Sequence, residues 1–103
     1  MSARYAGKPF LKLLDCYVLD AIGYLDLDLQ AELKAIEPQL HILFGGTGGW
    51  RETVEARMNF PEGIAGAIRE LWEKGRPKFV AAEGHEPDPH EFVRAFVDKN
   101  FAH

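Results

Sequence analysis

Two stretches of this chain have the composition of chemical sites. His85, Glu86, Asp88, His90 and Glu91 place five possible metal ligands within seven positions. Zinc needs three or four such groups converging on one point, whereas Pro87 and Pro89 stiffen the segment and splay its side chains. Asp88-Pro89-His90-Glu91 has a simpler reading as a helix start, with a capping carboxylate, proline at the first helical position and Glu at the third. In His90-Glu91-Phe92-Val93-Arg94, an Arg stands where the zinc-peptidase helix requires its second His. No metal and no cofactor are expected.

The second stretch is Phe44-Gly45-Gly46-Thr47-Gly48-Gly49-Trp50, with four of the chain's ten glycines in five consecutive positions. A phosphate-cradling loop ends in Lys and then Ser/Thr, because the ammonium neutralises phosphate and the hydroxyl holds magnesium. Here Trp50, Arg51 and Glu52 follow instead. The dinucleotide pattern fits only at Gly46-Thr47-Gly48, since position 51 is Arg. Both motifs also need a preceding strand, and Leu40 to Phe44 completes a helical stripe. The glycines are therefore expected to join two helices, with Gly45 or Gly46 taking positive φ. Should the loop be functional, Thr47, Trp50 and Arg51 are its candidate reading residues.

The remaining candidates are sparser. Cys16 has Asp15 beside it, whereas a reactive thiolate needs a cationic setting. Ser2 is the only serine. Asp15 and Asp20 lie five residues apart, about 140° around a helix, so they share no face. Lys74-Gly75-Arg76-Pro77-Lys78, flanked by Trp72 and Phe79, could follow a phosphate backbone. Glu70, one turn before Lys74, offers an ordinary surface pairing instead.

These residues must be positioned by a chain of 103 residues, 47% hydrophobic and 27% charged. That is enough for one core without staples, and a single domain over 1–103 is expected, with residues 1–7 flexible. The net charge is −4, four Lys/Arg against six Asp/Glu in residues 1–49 and eight against ten in 50–103. Neither half is a basic arm, so nucleic acid and anionic membrane are not the expected partners. The longest apolar region, Phe10 to Leu29, is interrupted by Lys12, Asp15, Asp20, Asp26 and Asp28, so no membrane span is expected. One cysteine and no signal-like opening give a cytoplasmic expectation.

The elements are helical throughout. Apolar residues at Phe10, Leu13, Leu14, Tyr17, Val18 and Ala21 form an amphipathic stripe after Pro9, which Leu11, Leu19 and Ile22 widen. Gly23 ends it. A second stripe runs from Leu29 to Phe44, led in by Asp26 and Asp28 and keeping phase across Pro38. A third helix covers about Gly49 to Met58. A fourth starts at Asn59, with Glu62 completing a capping box, and keeps phase through Pro77 to near Gly84. The fifth follows Asp88. The expected fold is all-α, a single compact bundle of about five helices, with kinks or breaks at Pro38 and Pro77.

Leu19, Leu25, Leu27, Ile42 and Phe101 fall off these stripes. Helices apolar over so much of their circumference are central or meet a partner. The functional expectation is thus a non-enzymatic module binding another protein or itself, with Ile42, Leu27 and Phe101 joining the loop residues as candidates. A small-molecule pocket or enzyme site using His41, Tyr17 or the glycine loop is the alternative, and nucleic-acid binding through Lys74–Lys78 a second.

Overall fold

The computed structural model describes residues 3–101 and is all-helical, with no strand among them. A 3₁₀ turn over Ala3–Tyr5 precedes six α-helices. These are α1 (Pro9–Ala21), α2 (Leu27–Ala35), α3 (Glu37–Phe44), α4 (Trp50–Met58), α5 (Ile64–Glu83) and α6 (Pro89–Asn100). Contacts divide the residues into two units. One holds the chain up to Tyr24 and from Gly63 onward; the other is Leu25–Glu62.

In the first unit α1 packs against α5, α6 and the 3₁₀ turn. Every residue from Leu13 to Leu19 is buried, as the widened stripe implies for a helix apolar on most sides. Ile68 and Trp72 of α5 and Val93 and Val97 of α6 are buried with them. Fully burying one such side chain is worth about 1.5–3 kcal/mol. Gly23 ends α1 as expected, at φ +87°. Its N–H bonds the Asp20 carbonyl at 3.0 Å and the Tyr24 N–H bonds the Leu19 carbonyl at 3.0 Å, the paired closure that a left-handed residue permits. Asp88 caps α6, its Oδ1 accepting from the His90 N–H at 2.8 Å.

In the second unit α3 packs against α2 and α4. Leu33, Leu40, Trp50 and Val54 are buried. Asp26 caps α2 by accepting from the Leu29 N–H at 2.7 Å.

The break allowed for at Pro38 is present: the second stripe forms two helices, α2 and α3, with Pro38 in the first turn of α3, and this raises the number of α-helices from about five to six. At Pro77 there is no break: α5 runs unbroken from Ile64 to Glu83. Glu73 to Lys78 are all exposed, so water can satisfy the carbonyl that proline leaves without a donor. Asn59 does not begin a helix but ends one. It sits at φ +54°, its N–H bonding Ala56 at 3.2 Å and the next N–H, of Phe60, bonding Glu55 at 2.9 Å. Phe60 precedes proline, which disfavours helical torsions there, and Gly63 at φ +84° holds off α5 until Ile64.

No helix among the described residues is long and apolar enough to cross a membrane.

Candidate functional site

The glycine loop is built by the helices on either side of it. Gly45 ends α3 at φ +80° and ψ 179°, and Gly46 follows at φ +85°. The first combination belongs to a region that only glycine occupies comfortably. Gly48 and Gly49 have a different reason. A Cβ on Gly48 would lie 2.5 Å from Glu52 Oε2 and 3.0 Å from Glu52 Cβ, and one on Gly49 would lie 3.0 Å from Glu37 Oε2. Gly45 and Gly46 serve torsion, and Gly48 and Gly49 lie against side chains of the flanking helices.

Side chains of α3 clasp the loop. His41 Nε2 lies 2.5 Å from the Gly48 carbonyl; a carbonyl only accepts, so Nε2 carries the proton. Glu37 Oε2 accepts from the Trp50 N–H at 2.8 Å, and Glu52 Oε1 accepts from the Gly49 N–H at 3.3 Å. These amides open α4, where a bound phosphate would be held. The chain's own carboxylates already sit there. Beside the loop lies a cleft of about 480 Å³ lined by Phe44, Gly45, Gly46, Glu52, Thr53 and Arg57, among others. Its polar groups are mutually engaged: Thr53 Oγ1 donates to the Gly49 carbonyl at 3.1 Å, and the Arg57 guanidinium lies 4.9 Å from the Phe44 ring centre.

The candidate residues separate by exposure. Ile42 is 85% exposed and Leu27 80%. Thr47 and Arg51 are exposed, the Arg51 guanidinium lying 4.7 Å from the centre of the Trp50 ring. Trp50 itself is 3% exposed, a core residue of its unit rather than a reading residue. Phe101 is half-buried, its ring edge-on to Phe96 at 5.7 Å. Leu19 and Leu25, which also fell off the stripes, are buried. Tyr17 is buried in α1. Ser2 lies outside the described residues.

The segment from His85 to Glu91 is spent on structure. Among the described residues no group of three or more His, Cys, Asp or Glu is placed to hold a metal ion. The His85 ring stands edge-on to Phe79 at 5.3 Å, and its Nδ1 donates to the Glu86 carbonyl at 2.9 Å. The Glu86 carboxylate accepts from Arg76 Nε at 2.7 Å and also from Nη2. Lys74 pairs with Glu70 at 2.7 Å, a hydrogen bond that raises the lysine and lowers the glutamate from their ordinary values. Trp72, beside this basic cluster, is buried against Tyr24 and Phe92 at 5.5 and 5.1 Å. It has no face free for a base. A groove of about 370 Å³ also runs along α5 and α6, lined by Leu71, Phe92, Ala95, Phe96, Lys99 and Asn100.

One constellation has no signature in the sequence. Asp15, in mid-α1, is 4% exposed. Its carboxylate accepts from Arg4 Nε at 2.7 Å, Arg4 Nη2 at 2.9 Å and the Tyr5 hydroxyl at 2.8 Å. Arg4 Nη1 reaches Asp98 of α6 at 2.8 and 3.0 Å. The hydrogen bond to Asp15 is the main cause raising the Arg4 guanidinium above its ordinary range. Burial, and then the bond to Asp15, raise the Tyr5 phenol. With its oxygens occupied by a guanidinium and a phenol, Asp15 is placed to brace the 3₁₀ turn against α1.

No family model matches this chain, and no curated protein or solved structure resembles it at a significant level.

Proposed function

We propose that this chain is a non-enzymatic helical module that binds another protein or a second copy of itself through the outer face of α3. The observation that carries this reading is the exposure of Ile42 together with Leu43. Pro38 and Gln39, one turn earlier on the same side, are exposed too. The face they form bears no charge. Single apolar residues on a surface are ordinary, but adjacent ones on an uncharged helix face are a mark of contact sites. Leu27, in the same unit, adds a further exposed apolar side chain. Thr47 and Arg51 are the exposed polar candidates of that unit. A cytoplasmic setting belongs to the proposal, supported by a single cysteine, Cys16, that is buried.

Light scattering after size exclusion, over a wide range of concentration, tests this together with binding of an apolar dye. Association or dye binding is expected in the native chain and should be lost in Ile42→Lys/Leu43→Lys with the melting temperature preserved. A chain monomeric at every concentration that binds no dye overturns it.

A second reading is a small-molecule binder, favoured by the groove along α5 and α6, whose volume falls in the range of ligand pockets. Ligand-dependent stabilisation that disappears in Phe96→Ala would support it. Nucleic-acid binding through Lys74–Lys78 has less support, because Lys74 and Arg76 face Glu70 and Glu86. Its mark would be retention on nucleic acid that falls steeply with salt.

A further inference from the structure

The 3₁₀ turn Ala3–Tyr5 is joined to α1 by Ala6, Gly7 and Lys8, all exposed, with Gly7 at φ +68°. Two hooks hold it. The inner hook is Asp15, whose side chain is 6% exposed and grips both Arg4 and Tyr5. The outer hook is Asp98, whose side chain is 49% exposed and grips Arg4 alone of that pair. We infer that Ala3–Tyr5 is a hinged strap that closes the first unit by tying α1 to α6 through Arg4, and that it opens about Gly7 while α1 stays folded. Arg4 and the Tyr5 hydroxyl hold the strap by hydrogen bonds to Asp15 and Asp98. Opening bares Asp15, a carboxylate set among Leu11, Leu14, Val18 and Leu19 along α1. A bare carboxylate in such a setting is costly, which keeps the strap closed. The inference does not depend on the contact face of α3.

The strap has its own reporter. The Lys8 N–H bonds the Tyr5 carbonyl at 2.9 Å, so its hydrogen exchange measures strap opening, while the amides of Val18 and Leu19 measure unfolding of α1. In the full chain, Lys8 should exchange with a smaller opening free energy and a weaker urea dependence than Val18 and Leu19, and Asp98→Asn should speed exchange at Lys8 by about tenfold, the scale of one charge-assisted hydrogen bond. Raising sodium chloride from about 0.05 to 1 M should do the same in the native chain and much less in Asp98→Asn, because the outer pair is open to screening. The same opening free energy and urea dependence at Lys8 as at Val18 and Leu19 would mean one cooperative unit and overturn the strap. Unchanged exchange at Lys8 in Asp98→Asn would overturn it equally.

Discussion

Asp15 and Glu37 are both carboxylates that fasten a neighbouring segment to the helix that carries them, and they do so by opposite means. In the first unit, Asp15 is buried and takes its donors from the side chains of Arg4 and Tyr5. In the second, Glu37 is half-buried and takes a backbone N–H, that of Trp50. One segment is held by charge on charge, the other by backbone groups and by glycines that can adopt the required torsions. The difference predicts where each is fragile. A buried pair fails badly when one partner is removed, because the other is left uncompensated. A backbone clasp fails when the chain path is obstructed.

Four substitutions test this contrast. Arg4→Ala should have the largest effect, about 3 kcal/mol lost in urea unfolding, because Asp15 stays buried without its guanidinium. A loss below ~1 kcal/mol would mean that Asp15 hydrates freely and that the two carboxylates do not differ. Gly45→Ala comes next, at roughly 2 kcal/mol, since φ +80° with ψ 179° is denied to alanine. An unchanged melting temperature would remove the case that torsion holds the loop.

Tyr5→Phe should cost about 1 kcal/mol at neutral pH through one lost hydrogen bond. The folded state raises this phenol above its unfolded value, so its contribution is fully present below about pH 10 and is lost as pH climbs through the folded value. The gap between native chain and Tyr5→Phe should therefore narrow on alkaline titration; a constant gap would show that the phenol is not linked to folding. Glu37→Gln should be the mildest, about 0.5 kcal/mol, because the amide oxygen still accepts from Trp50 and only the favourable charge at the start of α4 is lost.

Local signals read well in this sequence, and long-range ones did not. The Asp88 cap, the Gly23 terminator and the central character of α1 follow from residue spacing alone and are present as expected. Asn59 matched a capping pattern, yet the pattern ignores Pro61, whose constraint falls on Phe60. Pro38 and Pro77 both fall within stripes that keep phase, yet one lies at a helix start and the other inside a helix, because helix propensity gives way to what surrounds each turn. Gly45 and Gly46 were readable as turn residues. Gly48 and Gly49 lie against the side chains of Glu52 and Glu37, and a neighbour thirteen residues away for Trp50 leaves no periodicity. The Arg4–Asp98 bond spans 94 positions, and nothing in either local sequence marks it. Exposure of Ile42 and Leu27 fits their place off the stripes; Leu19, which widens the stripe of the central α1, and Leu25 are buried.

The chain's two tryptophans fall one in each unit, Trp50 in Leu25–Glu62 and Trp72 in the other. Both are shielded from solvent, and their neighbours differ: a guanidinium over Trp50, a tyrosine and a phenylalanine ring against Trp72. Each half thus carries its own fluorophore, with Tyr24 close enough to Trp72 to pass excitation to it. Replacing one indole at a time with phenylalanine lets the melting of each half be watched separately by emission, with no label attached.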